Sequence, residues 1–415
     1  MELLRISTAG SVDDGKSTLI GRLLHDNNAL TKEQEALIEQ KTLEKGLADL
    51  DFSVITDGLI AEREQGITID VAHIYFSTQK RKFIIADSPG HVEYTRNMVT
   101  GASNAEVSII LIDARKGLLE QSYRHFFISQ LLRLDKVIFC INKMDLVDYS
   151  EDVYLRIAAD VKQMVDSSEF NHPDVEIIPI SSLKGDNVVF PSGNTSWYHG
   201  KTLNEILHEI PPAINTIPDF RMDVQQVLHV QNEAFTDFRG FSGKINSGSI
   251  SVGDELTVLP SLKTAVVKEI RKYEDTLQKA MAGDSVIISL DREVDASRGS
   301  LFVKTGEEPS NSKAIKATLV WLDEEEGTLG NRYLIQAGSR VNQSKLQQID
   351  YLIPPENPSL KLESAKLVLN DIASVEIRLA QPLFLDSYAS NKANGVFILI
   401  DPRTNNTCAL GFVNS

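Results

Sequence analysis

The chain has 415 residues, 42% of them hydrophobic, and a formal charge of -16, which is too long for one core and too balanced for disorder. Its acidic balance argues against broad electrostatic binding to nucleic acid, although a local basic patch stays compatible with it. No window approaches the run of roughly 20 apolar residues that spans a bilayer, and Cys140 and Cys408 lie far apart without metal-ligand or disulfide spacing, so a cytoplasmic protein with no membrane partner is expected.

In residues 1–214 strand-like apolar runs alternate with helical stretches, the pattern of right-handed crossovers and a mostly parallel sheet. The first strand, LLRISTA, leads into GSVDDGKSTL, residues 10–19, and a helix beginning KSTLIGRLL. A glycine turn with a chance lysine is the plainer alternative, but the flanking strand and helix fit a phosphate-cradling loop. The nucleotide contacts expected there are Gly10, Ser11, Val12, Asp13, Asp14, Gly15, Lys16, Ser17 and Thr18. Successive backbone N–H groups and the helix N-terminus would hold the anion, Lys16 would reach the terminal phosphates, and Ser17 would offer its hydroxyl to Mg²⁺.

Further along, DGLIAEREQGITID, residues 57–70, suits a mobile switch whose Thr68 closes over Mg²⁺ and the γ-phosphate, as against a solvated helix end. The strand KFIIA then runs into DSPGH, residues 87–91, which puts Asp87 at a strand's C-terminal end, where it can hold Mg²⁺ through water. The Gly90 amide would meet the γ-phosphate, leaving a loop that changes shape once that phosphate departs.

NKMD, residues 142–145, follows the buried-looking strand VIFCI and decides the base. A carboxylate at Asp145 accepts from the N1–H and the exocyclic amine of guanine, whereas adenine presents no such donor pair, so GTP is the expected nucleotide. Asn142 would buttress the loops and the Lys143 stem would cover the base. SSLKG, after the strand VEIIPI, supplies Ser181 and Leu183, whose backbone can meet the guanine oxygen. The helical stretch TLNEILHEI stops at Pro211 and Pro212, marking a domain boundary.

From about residue 219 to 308, short alternating segments separated by Gly240, Gly243, Gly248 and Gly253 predict a small β-barrel. KTGEEPSNSK looks like a polar linker, after which KAIKATLVWL, AKLVLN, IASVEIRLA and GVFILID predict a second barrel over 314–415.

In this order the motifs resemble the GTPases of the translation-factor class, and the whole chain fits an α/β P-loop GTPase domain followed by two β-barrel domains, the architecture of elongation factor Tu. Translation factors usually show a histidine or serine where Asp14 stands. With GSVDDGKSTLIGRLL, TDGLIAEREQGITIDVAHIYF, DSPGHVEYTRNMVTGAS and DFRGFSG, the chain resembles more specifically the large GTPase subunits of bacterial sulfate adenylyltransferase. That resemblance implies a heterodimer in which a small ATP pyrophosphatase-type subunit makes adenosine 5′-phosphosulfate and pyrophosphate from ATP and sulfate, while this chain couples GTP hydrolysis to the unfavourable synthesis. No nucleic acid partner is implied.

The same resemblance carries to His91 the positioning of attacking water, and to Val12 and Ile67 an apolar gate over it. Asp13 falls where some relatives bind a monovalent cation, and a loop-stabilising carboxylate is the equal alternative. Trp197 and Tyr198 suit interdomain packing better than a ligand site. With so little chain after the last predicted strand, the fused adenylylsulfate kinase of some relatives is not expected. The rival from another class is a carrier of aminoacyl-tRNA or a release factor to the ribosome; a bare signalling switch would leave two barrels unexplained. If His91 positions water, His91→Ala keeps GTP binding and slows hydrolysis, and an unchanged single-turnover rate would contradict the assignment.

Overall fold

The computed structural model describes residues 2–44, 46, 49–55, 72–87, 95–168, 170, 172–211, 217–230 and 238–414. These divide into two compact units, Met1–Ala213 with Pro355–Leu360, and Ile214–Pro354 with Lys361–Ser415.

The first unit is built on a six-stranded sheet: β1 (Leu3–Ala9), β2 (Ala72–Ser77), β3 (Lys82–Asp87), β4 (Val107–Asp113), β5 (Lys136–Asn142) and β6 (Asp174–Pro179), in the order β2-β3-β1-β4-β5-β6. β2 runs antiparallel to β3, and the other pairings are parallel. The central strands VSIILID and KVIFCIN are apolar almost without alternation, because helices cover both faces of a parallel sheet and bury successive side chains alike. The parallel registers bring the strands' C-terminal residues to one edge, with Thr8 opposite Asp87 and Asp113 opposite Asn142.

Helix α1 (Lys16–Asp26) turns Leu19, Ile20, Leu23 and Leu24 into the core with Leu4, Ile6, Ile85 and Leu111. Further helices span Lys32–Glu44, Glu120–Leu131 and Glu151–Asp166, and the helical stretch TLNEILHEI is present as Leu203–Glu209. Thr202 and Glu205 cap the last reciprocally, at 3.2 and 2.8 Å. A short helix spans Thr95–Ala102. No helix among the described residues is long and apolar enough to cross a membrane.

The second unit contains both expected barrels. In the first, Glu255–Leu259, Leu301–Lys304, Arg221–Asp223, Phe238–Ser247, Ser285–Leu290 and Lys263–Lys272 pair in that order, and the last pairs back to the first. Gly243 of DFRGFSG sits where a Cβ would lie 2.2 Å from the Asp223 carbonyl, so the close crossing of two strands excludes any side chain there. The second barrel closes through Ser310–Trp321, Ile372–Leu385, Arg340–Leu352, Arg332–Ala337, Val396–Ile400 and Thr407–Val413.

Its first strand begins at Ser310, inside the stretch read as polar linker. Residues 310–314 are mostly exposed, so the apolar alternation that betrays a strand starts only at Ile315. AKLVLN, by contrast, yields only the two-residue strand Lys366–Leu367. Both cysteines are buried and free, as expected of small apolar side chains.

The barrels are tied by Arg221, 1% exposed, whose Nε and Nη2 donate to the Asp386 carboxylate at 3.0 and 3.1 Å. Asn394 Nδ2 also donates to Asp386, at 2.9 Å. Asp386→Ala leaves the buried guanidinium only the Phe220 carbonyl at 3.0 Å and the Asp219 carboxylate at 3.6 Å, and is expected to destabilise the unit by about 3 kcal/mol, read as a lower denaturant midpoint for barrel unfolding.

Candidate nucleotide site

The loop after β1 closes on itself before α1 begins. The Ser11 N–H donates to Asp14 Oδ2 at 2.7 Å and the Asp14 N–H to the Ser11 carbonyl at 3.2 Å. Gly15, the residue before the helix, has φ +93°, and a Cβ on it would lie 2.6 Å from Asn142 Nδ2. Glycine is therefore required twice over, by its backbone conformation and by its neighbour. The first turn of α1 contains no acidic side chain, which leaves the positive end of the helix for an anion.

Lys16 is 8% exposed, and its ammonium donates to the carbonyls of Gly10 at 2.9 Å and Ser11 at 3.1 Å. Burial lowers its pKa, and the charges of Asp87, Asp14 and Asp13 oppose that. Asp14 is 2% exposed, and burial raises its carboxyl above the usual range. Asp87 is fully buried at the end of β3, where Thr8 Oγ1 donates to its Oδ1 at 2.9 Å. Ser17 and Thr18 are half-buried on the first turn of α1, and Val12 is half-buried in the loop.

The end of β5 fastens this loop to the base-binding side. Asn142 Nδ2 donates to the Asp14 carbonyl at 2.7 Å, and Asn142 Oδ1 accepts the Ser182 N–H at 2.9 Å. Lys143 donates its ammonium to the Asp13 carbonyl and pairs with Asp113 Oδ2 at 3.0 Å. Ser181 Oγ donates to Asp145 Oδ1 at 2.6 Å, which leaves Asp145 Oδ2 for further donors. The Ser181 N–H is taken by the Asp186 carbonyl at 3.2 Å, so of Ser181 and Leu183 it is Leu183 that keeps a backbone donor for a base.

The structure thus gathers residues 10–18, Asp87, Asn142, Lys143, Asp145, Ser181 and Leu183 along the C-terminal edge of the sheet. Ile67, Thr68, Gly90 and His91 lie outside the described residues. Two participants were missed. Asp113, at the end of β4, accepts Arg115 Nη2 at 2.6 Å as well as Lys143, and these partners hold its carboxyl well below the usual range despite burial. Its signal was available, since an acid ends the strand VSIILID just as Asp87 ends its own. Arg22 donates to the carbonyls of Ser182, at 3.3 Å, and Leu183, and nothing in the helix KSTLIGRLLHD marks it for that. Trp197 and Tyr198, expected between domains, pack with Tyr154 inside the first unit, with ring centroids 5.2 and 6.1 Å from it.

Residues 1–269 match the family model of the elongation factor Tu GTP binding domain, and residues 314–414 match the GTP-eEF1A C-terminal domain-like family. The sulfate adenylyltransferase subunit 1 of Colwellia psychrerythraea is 46% identical over 100% of this chain and 88% of its own length. Those of Cellvibrio japonicus and Bacteroides fragilis are each 45% identical, over 99% of this chain and 86% of their own lengths.

The site geometry makes the base preference testable. Asp145→Asn replaces an acceptor by an amide donor and is expected to shift binding from guanine toward xanthine nucleotides, whose C2 carries a carbonyl. Strict GDP preference persisting in that variant, read by titration calorimetry, would count against Asp145 as the base reader.

Proposed function

The chain belongs to the sulfate adenylyltransferase subunit 1 family of elongation factor Tu-type GTPases, and on that premise we propose that it couples GTP hydrolysis to the formation of adenosine 5′-phosphosulfate and pyrophosphate from ATP and sulfate. The observation that carries this reading is the match to subunit 1 relatives across both barrels as well as the GTPase domain. A ribosomal carrier is not favoured by it. Its nucleotide is GTP, with Mg²⁺, and it works as one subunit of a larger enzyme. We infer that the partner is a small ATP pyrophosphatase-type subunit and that the complex is cytoplasmic.

The residues present fit Mg²⁺: Asp87 brings a buried carboxylate and Ser17 a hydroxyl, hard oxygen donors of the kind the ion takes. Thr68 would join them. When bound, the ion offsets the charge of the β- and γ-phosphates. The chain's own part is positioning. Lys16 and the N–H groups of the loop hold the phosphates, Asp145 reads the base, and His91 orients the attacking water behind Val12 and Ile67. On the same footing we place a monovalent cation at the Asp13 carboxylate, which is exposed on the loop.

The product anhydride is high in energy, so it accumulates only if a second exergonic step is linked to conformations of different affinity. GTP hydrolysis is therefore expected to accelerate when ATP, sulfate and the small subunit are present together, with adenosine 5′-phosphosulfate rising beyond its level without GTP. GTP-dependent binding of aminoacyl-tRNA, with no GTPase response to that mixture, would overturn the proposal.

A further inference from the structure

Within the base-reading motif and just after it, the backbone takes a path that few side chains tolerate. Lys143, Asp148 and Tyr149 have φ of 64°, 53° and 52°. For a bulky aromatic this left-handed conformation costs on the order of 1 kcal/mol or more, and it persists only where surrounding contacts over-determine it.

Tyr149 has those contacts. Its N–H donates to the Met144 carbonyl at 2.9 Å, its carbonyl accepts Trp197 Nε1–H at 3.0 Å, and its hydroxyl donates to Asp186 Oδ2 at 2.7 Å. Burial, with Asp186 beside it, pushes the phenol above its ordinary range and keeps it a donor.

Asp186 is held in turn. Its Oδ1 accepts Ser192 Oγ at 2.6 Å and Asn194 Nδ2 at 3.2 Å, and its carbonyl accepts the Ser181 N–H at 3.2 Å. Ser181 is the residue whose hydroxyl donates to Asp145 Oδ1 at 2.6 Å. The contacts close a circuit: Asp145 to Ser181, Ser181 to Asp186, Asp186 to Tyr149, and from Tyr149 back along the short turn Met144–Val147 to Asp145. Trp197 braces it from outside, with the Tyr154 ring 5.2 Å away.

We propose that Tyr149, Asp186 and Trp197 are positioning residues for guanine, and that their circuit sets the orientation in which the Asp145 carboxylate accepts the base's two donors. This rests on the reading of Asp145 as the guanine acceptor. A carboxylate meets N1–H and the exocyclic amine together only when its plane lies along the base edge. In this protein that plane is held by the Ser181 hydroxyl on one side and by the strained turn on the other. Packing alone would make the same aromatic cluster support every purine nucleotide equally.

Inosine separates the two cases, because hypoxanthine keeps N1–H and lacks the exocyclic amine. Affinities of the full chain for GDP and IDP are measured for the wild type, Tyr149→Phe, Trp197→Phe and Asp186→Asn, with XDP binding by Asp145→Asn as the control. Tyr149→Phe is expected to lose GDP affinity more than IDP affinity, lowering the GDP-to-IDP preference by roughly fivefold, as weakening one charge-assisted hydrogen bond does. Trp197→Phe and Asp186→Asn move the ratio the same way, and either decides the matter if Tyr149→Phe does not fold. Equal losses for GDP and IDP, or an unchanged ratio, overturn the circuit while leaving the base reading intact if Asp145→Asn gains XDP. If that control gains no XDP, the base reading itself has failed.

Discussion

The side chain of Asn142 is the constraint on which the rest of the nucleotide domain depends. It is 1% exposed, so both ends of its amide must be satisfied inside the protein. One end donates to the carbonyl of Asp14 in the phosphate loop, and the other accepts from Ser182 in the base-side loop. These loops are about 170 residues apart in sequence, and neither belongs to the sheet that carries Asn142. Breaking one bond orphans a buried polar group at a cost of about 1–3 kcal/mol, so movement of the phosphate side is felt by the base side. Phosphate and guanine affinities in such a site are not independent sums.

Charge is arranged around the same residue. Asp13, Asp14, Asp87 and Asp113 surround Lys16 and Lys143, an acidic setting for a site that must accept a phosphate chain. Three of these carboxylates are engaged within the protein. Asp14 takes the Ser11 N–H, Asp87 a threonine hydroxyl, and Asp113 an arginine and a lysine, while the loop N–H groups other than those of Ser11 and Asp14, with the start of α1, are left for the ligand.

Much of this was legible in the sequence for a physical reason. Parallel strands covered on both faces leave long apolar runs, as in VSIILID and KVIFCIN, and the polar residue that ends each run marks the functional edge. The loop glycines were legible because Gly15 answers a steric demand that no other residue meets. Contacts made by long side chains across sequence distance were not. Arg22 reaching Ser182 and Leu183, or Tyr149 reaching Asp186, leaves no local pattern. The strand over 310–314 was hidden for the opposite reason, since its exposed residues carry no alternation.

The two closed rings of the second unit bear on how this subunit can speak to a partner. Each strand within a ring has a paired neighbour on either side, so among the described residues the open backbone edges of this unit belong to short strands outside the rings, such as Gln226–Val230 and Asp275–Leu277. Over the rings themselves, recognition is left to side chains and loops. Backbone pairing accepts almost any sequence, whereas a side-chain surface can be revised one residue at a time. A subunit built this way can change or sharpen its choice of companion by point substitution without disturbing the scaffold that carries it.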